Sequence, residues 1–268
     1  MLRKSFAVPV ADHTNGGDMP FSSIPRLVWR GARFALALLY DAWRCRREVR
    51  GVSGEKERGA RATWLHRCCQ RALRILCIHV HVRGPLPQGG LIVVNHLSYL
   101  DIIALSAALP CVFVSKMEVA GWPLFGAFAK RSGTLFLDRG RRGAVSGVGE
   151  QMRAVLATGL PLVFFPEGTS TAGETVLPFK TSLFEPVTTL ACPVIAAAIR
   201  YATDEGSVRD EIHWWGTMTL APHLLKIFAK RRIDMTIRFG EPRVRGGDRK
   251  MIARELHAEV SALRSARD

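Results

Sequence analysis

Three segments of the chain set chemically competent side chains directly behind apolar runs. The first reads Leu91-Ile-Val-Val-Asn95-His96-Leu-Ser98-Tyr-Leu-Asp101. A buried strand would end at Asn95-His96, and Asp101 follows five residues after the histidine, near the start of a helix. From there its carboxylate can turn back to the imidazole. An aspartate that accepts from one ring nitrogen fixes the tautomer and strengthens the other nitrogen as a base. His96 is then a general base for a hydroxyl proton. The plainer alternatives are a satisfied surface or core histidine and an aspartate that caps a helix.

The second segment, Leu162-Val-Phe-Phe-Pro166-Glu167-Gly168-Thr169-Ser170-Thr171, also runs from an apolar strand into a polar turn. Gly168 permits close backbone approach, and Glu167, Thr169 and Ser170 offer donors and acceptors to a hydroxyl-bearing ligand. The third, Phe136-Leu137-Asp138-Arg139-Gly140-Arg141-Arg142, carries three guanidiniums that can grip phosphate oxygens. Lys180 adds a point charge. A plain turn and a solvated basic loop are the bland versions of these two segments. A further grouping, Cys77, His79 and His81, would share one face of a strand. Three neighbouring ligands on one strand do not converge on a tetrahedral ion without a distant fourth, so no metal is expected. The six cysteines form no Cys-x-x-Cys pair and are expected as reduced thiols.

The elements that must hold these residues follow from periodicity. Strands are expected at 77–82, 91–95, 111–115, 134–137, 162–165, 194–200 and 234–239. Helices are expected at 101–108, 123–131, 143–158, 181–190, 222–231 and 248–264. Alternation of this kind predicts an α/β fold with a mostly parallel sheet flanked by helices. In such sheets ligands sit at the carboxyl ends of strands, which is where the first two segments fall.

Residues 1–83 hold 16 basic and 6 acidic residues, residues 84–210 hold 10 of each, and residues 211–268 hold 12 and 7. The net charge of +15 is thus concentrated at the N-terminal side. A nucleic-acid-binding face would spread it over the domain that does the reading. Arg26, Arg30 and Arg33 share one helical face, with Arg44 on the same side, and Arg67, Arg71 and Arg74 repeat the spacing. Trp64, Leu65, Leu73 and Leu76 accompany the second group. Basic residues on one side and large apolar ones on the other describe N-terminal amphipathic membrane-docking helices on an anionic surface. The same pattern also suits helices packed on the protein's own core. Residues 1–23 are polar and turn-rich and read as a disordered tail, with an apolar stretch, Phe6 to Ala11, too short for a signal-peptide core. Residues 24–76 read as the basic amphipathic helices, with a connector at 51–59, and residues 77–268 as the α/β domain. The longest stretch free of charged residues, Gly84 to Leu100, contains two prolines and a Gly-Gly pair, so no spanning helix is expected.

His96-x4-Asp101, followed by Phe165-Pro166-Glu167-Gly168-Thr169, resembles the glycerolipid acyltransferases, the group that includes 1-acylglycerol-3-phosphate acyltransferase. The resemblance covers roughly residues 77–240, with four motifs in the family's order. It implies His96 as base and Asp101 as its orienter. It implies that Arg139 contacts an acceptor phosphate, and that Glu167, Gly168 and Thr169 bind the acceptor's glycerol and head group. Cys192 to Ile195 would be an apolar strand near the acyl chain. The family pattern commonly reads Glu-Gly-Thr-Arg where this chain has Ser170. With Ser at that position the chain resembles family members that act on lysophospholipids or lyso-ornithine lipids, and the segment His213 to Met218 with Pro222-His223-Leu224 resembles the lyso-ornithine branch.

The resemblance therefore implies O-acyl transfer from acyl-CoA or acyl carrier protein, as co-substrate, to a lysolipid hydroxyl. The acceptor is 1-acylglycerol-3-phosphate or, alternatively, a lyso-ornithine lipid. No cofactor is implied. The enzyme would work at the cytoplasmic face of a membrane, peripheral or monotopic. A lipid hydrolase using Ser98 or Ser170 is the rival, against which stands the absence of a Gly-x-Ser-x-Gly elbow. A nucleic-acid-binding module lacks any supporting motif. If the acyl-transfer reading holds, the His96 ring must be accessible, close to Glu167, and faced by Asp101.

Overall fold

The computed structural model describes residues 23–122, 125–137 and 144–266. Arg139, Arg141, Arg142 and the expected tail up to residue 22 lie outside the described residues. The chain opens with two long helices, α1 (Ile24–Glu48) and α2 (Gly54–Leu76). Then follow β1 (Ile78–Arg83), β2 (Leu91–Val94), α3 (Leu100–Ala108), β3 (Val112–Lys116), α4 (Phe125–Arg131), β4 (Leu135–Leu137), α5 (Ala144–Leu156) and β5 (Leu162–Phe164). The second half holds β6 (Pro193–Ala202), α6 (Val208–Glu211), α7 (Leu220–Ala229), β7 (Ile233–Phe239), β8 (Arg243–Val244) and α8 (Arg249–Ser265).

The strands form one sheet in the order β1-β7-β6-β2-β5-β3-β4, with β8 on β6. The pairs β2–β5, β2–β6, β3–β5, β3–β4 and β1–β7 are parallel, whereas β6–β7 and β6–β8 are antiparallel. The mostly parallel sheet expected from the alternation is present. Leu91-Ile-Val-Val of β2 and Leu162-Val-Phe of β5 are buried throughout, as central parallel strands covered on both faces must be. One face packs against α2, α3 and α7 through Trp64, Leu76, Leu100, Leu105 and Ile227. The other packs against α5 and α8 through Met152, Val155, Ile252 and Leu256.

Some local expectations change. Residues 181–190 form two short 3-10 turns, Thr181–Phe184 and Pro186–Thr189, because Pro186 cannot donate to a continuous helix. Cys77 does not alternate with His79 and His81. It ends α2 in the left-handed region (φ 53°) and lies outside β1. His81 instead bonds Asp234 at 2.8 Å.

The two N-terminal helices pack differently. The apolar side of α2 is core, with Trp64 and Leu76 almost wholly buried. In α1 the expected shared basic face is broken up. Arg26 donates to the Ala229 carbonyl at 2.6 Å, and the buried Arg30 donates to the carbonyls of Phe228, Lys230 and Arg231. Both arginines therefore serve the C-terminal carbonyls of α7, the negative end of that helix. The face of α1 left outward is apolar instead. Val28, Trp29, Leu36, Leu39 and Trp43 are all exposed and lie on one side at about 100° per residue. Arg33 and Arg47 lie over the Trp29 and Trp43 rings at 4.3 and 4.8 Å.

Candidate active site

The site stands at the carboxyl ends of β2 and β5, and its assembly begins with Asn95. The β2–β6 ladder ends at Val94, and the buried Asn95 side chain carries the contact one step further. It accepts from the Ile199 N–H at 2.8 Å and donates to the Ile199 carbonyl at 3.2 Å. The amide thus replaces a strand partner, and the main chain is free to turn away with His96 in the next position.

His96 Nδ1 lies 2.8 Å from Asp101 Oδ2. The same oxygen accepts from the backbone N–H groups of Leu97 (2.6 Å) and Ser98 (3.0 Å), so it is an acceptor on every side. Nδ1 therefore carries the ring proton, and Nε2 keeps its lone pair. Nε2 has no protein partner among the described residues. The ring stacks on Phe165 at 4.1 Å between centroids, and Phe165 in turn stacks on Phe113. Asp101 is fully buried at the N-terminal end of α3, where the helix dipole favours a carboxylate.

Glu167 is buried, and both its oxygens are taken. Oε1 accepts from the His96 N–H at 2.6 Å, and Oε2 accepts from the Leu177 N–H at 2.8 Å. Burial pushes its carboxyl above the ordinary range, while the two N–H bonds pull the other way. Its carboxylate ties the β5 turn to the backbone of His96, with one N–H on each oxygen. Gly168 takes φ +72°, and a Cβ there would meet the stem of Lys180 at 3.0 Å, so the exposed Lys180 lies over the turn. Thr169 and Ser170 line the same cleft as His96.

That cleft has a volume of about 560 Å³, and Lys116, Glu118, Trp122, Trp214 and Trp215 contribute to its walls. Behind it lies an almost wholly apolar pocket of about 140 Å³ between α1, α2, α3 and α4. Tyr99, Ile102, Phe113, Val119 and Phe125 border both spaces, and Leu65, Cys68 and Ala72 line the deeper one. Burial pushes the Cys68 and Cys69 thiols well up, to about 12 for Cys69, so they are apolar wall and not nucleophiles. Ser98 Oγ is buried and unpartnered and does not reach His96, which removes the hydrolase's first nucleophile.

Sequence reasoning gave no site role to Asn95, Tyr201 or Trp214. Tyr201 donates its hydroxyl to Asp101 Oδ1 at 2.5 Å from the end of β6. Trp214 is fixed by its backbone N–H, which donates to the Leu97 carbonyl at 2.9 Å, and the residue lines the cleft. The amide of Asn95 stood in plain view beside His96, but nothing local reveals that β6 is its neighbour. Among the described residues no cluster of His, Cys, Asp or Glu could hold a metal ion.

A mostly parallel α/β sheet thus carries a histidine–carboxylate pair at a strand end, in a cleft that borders an apolar pocket. The chain belongs to the acyltransferase family. The family model described as Acyltransferase matches residues 77–200. The lyso-ornithine lipid O-acyltransferase of Brucella abortus is 36% identical over 206 residues, covering 71% of this chain and 77% of that one. A lyso-ornithine lipid O-acyltransferase of Pseudomonas aeruginosa is 34% identical over 88% of this chain and 92% of its own. A 1-acyl-sn-glycerol-3-phosphate acyltransferase of Neisseria gonorrhoeae is 32% identical over 63% of this chain and 67% of its own. The crystal structure of the 1-acyl-sn-glycerophosphate (LPA) acyltransferase PlsC from Thermotoga maritima superposes with a TM-score of 0.65 at 18% identity. It covers 90% of this chain and 94% of its own, a likeness of fold.

Proposed function

We propose that this acyltransferase moves a fatty acyl group from acyl-CoA or acyl carrier protein to the free hydroxyl of a lyso-ornithine lipid, with His96 as general base. The observation that carries the chemistry is the Nδ1–Asp101 bond, which leaves the Nε2 lone pair at a cleft joined to an apolar pocket. In the reaction, Nε2 takes the hydroxyl proton as the lysolipid oxygen attacks the thioester carbonyl, and the carbonyl electron pair moves to oxygen. Thr169 and Ser170 line the cleft, and backbone N–H groups from this turn would suit the oxyanion. The C–S bond then breaks, and the imidazolium returns the proton to the departing thiolate. The deeper pocket suits the acyl chain, since its wall offers methyl and methylene contacts in place of water.

Two features favour the lyso-ornithine acceptor. Ser170 stands where a phosphate-binding arginine is common in the family, and several relatives bear the lyso-ornithine name. Arg139 supports 1-acylglycerol-3-phosphate as the second reading. Among the described residues no helix is long and apolar enough to cross a membrane. The exposed apolar face of α1, with Arg33 and Arg47 over its tryptophans, supports peripheral docking on an anionic leaflet, and the cytoplasmic face is the side proposed.

The test offers the purified protein, on anionic vesicles, a panel of lysolipids with labelled acyl-CoA and acyl carrier protein. Lyso-ornithine lipid is expected to be acylated, and His96→Ala to abolish transfer without changing vesicle binding. Acylation of 1-acylglycerol-3-phosphate alone would replace the first acceptor by the second. Near-normal turnover by His96→Ala would end the base assignment.

A further inference from the structure

Among the described residues the Asp101 carboxylate receives four hydrogen bonds, and three come from its own segment: the His96 ring and the N–H groups of Leu97 and Ser98. All three converge on Oδ2. The other oxygen, Oδ1, accepts among the described residues from Tyr201, a residue one hundred positions away on β6. At 2.5 Å this is a short, charge-assisted O–H···O bond. Asp101 is wholly buried, so water cannot take the hydroxyl's place.

The placement of the hydroxyl follows from Asn95. Its two bonds to Ile199 lock the end of β2 to β6. Tyr201 lies two residues beyond Ile199 and so projects from the same face of the sheet, toward α3. Its ring is further fixed edge-on against His213, at 5.6 Å between centroids. His213 donates Nδ1–H to the Ala172 carbonyl at 2.7 Å. Its Nε2 is buried without a partner, which holds this imidazole in its neutral form and keeps it from competing with Tyr201 for Asp101. The remaining titratable groups around the pair are Glu167, bound to the His96 N–H, with Tyr99 before α3 and Arg264 on α8.

We infer that Tyr201 is a positioning residue of the catalytic pair, whose hydroxyl, by sharing the charge of Asp101 through Oδ1, sets how tightly that carboxylate holds a protonated His96. The inference rests on the reading of His96 as general base. Burial and the neighbouring Asp101 push the phenol well above its ordinary value, so it stays a donor across the working pH range. With the hydroxyl in place, part of the carboxylate's charge is already compensated, and the imidazolium is a better acid for returning its proton to the thiolate. Without it the full charge of Asp101 bears on the ring. The protonated form is then favoured over the free base.

The experiment compares wild type, Tyr201→Phe and a protein carrying 3-fluorotyrosine at position 201. Two readouts are used: the pH profile of kcat/KM on vesicles, and 15N resonances of the His96 ring followed against pH in the full chain. Tyr201→Phe is expected to move the acidic limb of the profile upward by about half a unit to one unit, a roughly three- to tenfold loss at a pH below the limb that is recovered above it. The ring resonances should move by the same amount. Fluorotyrosine, a stronger donor of the same shape, is expected to move both downward. If Tyr201→Phe lowers kcat equally at every pH and the ring titration does not move, the inference is overturned and the hydroxyl is only packing. If the Phe variant does not fold, the fluorotyrosine protein decides alone, and an unmoved profile refutes the proposal. The ring titration needs no turnover. It therefore reads the Tyr201 effect even if acyl transfer fails to depend on His96.

Discussion

Glu167→Gln separates two roles for the carboxylate that the sequence motif makes prominent. In the structure Oε1 takes the His96 N–H at 2.6 Å and Oε2 takes the Leu177 N–H at 2.8 Å, with the side chain buried. Glutamine keeps one carbonyl oxygen and turns the other acceptor into an NH2 donor, which then faces an N–H. One charge-assisted bond becomes an ordinary one, and one buried donor loses its partner. The unpaired buried donor costs about 1–3 kcal/mol, and the lost charge assistance adds about 1–2 kcal/mol. Together they amount to about 2–5 kcal/mol, or a fall in Tm on the order of 10 °C for a chain of this size. If the orphaned N–H is that of His96, the imidazole shifts relative to the cleft, and a displacement near 1 Å costs about 100-fold in rate. The expected result is a large drop in kcat with a lowered Tm and an acceptor KM within about twofold of wild type. Thermal unfolding and steady-state kinetics with varied lysolipid measure all three. An unchanged Tm and kcat with a strongly raised acceptor KM would refute the reasoning and return Glu167 to binding the acceptor directly.

Two further outcomes follow from the same geometry. Ala72→Phe places a ring in the apolar pocket of about 140 Å³, and donors with long chains should suffer most. Each methylene expelled forfeits about 0.8 kcal/mol, roughly fourfold in kcat/KM, so the profile of kcat/KM against chain length shifts to shorter acyl groups. An unshifted profile would place the chain elsewhere. His223 is buried between the Tyr99 hydroxyl and the His213 carbonyl, and burial lowers it to about 4. The unfolded imidazole binds a proton below about 6.5 that the folded one refuses, so its contribution is complete above that pH and is lost as pH falls toward 4. The difference corresponds to about 3 kcal/mol, with Glu167 opposing it as pH rises through its own window. Urea unfolding at pH 7 and pH 5 should show wild type losing more stability than His223→Gln. Equal losses would contradict this assignment.

Features that depend on near neighbours along the chain were legible before folding was considered. The apolar runs at 91–94 and 162–164 had to be buried strands, and a histidine with an aspartate five residues on could meet across a strand-to-helix turn, because that loop is short enough for the side chains to bridge. Seven strands fall where alternation put them, while the two-residue β8 carries too little pattern to be read. Only the tertiary structure decided what lies across the sheet. The order that seats β6 beside β2 brings Ile199 to Asn95 and Tyr201 to Asp101 over a hundred residues, a pairing that no local periodicity encodes. It also decided between two destinies for similar helices. The apolar face of α2 found the sheet, whereas the Arg26 and Arg30 side chains of α1 found the carbonyls of α7 and left Trp29, Leu36, Leu39 and Trp43 outside. A helical wheel records which residues share a side; which side the rest of the protein covers depends on partners brought together only when the chain folds.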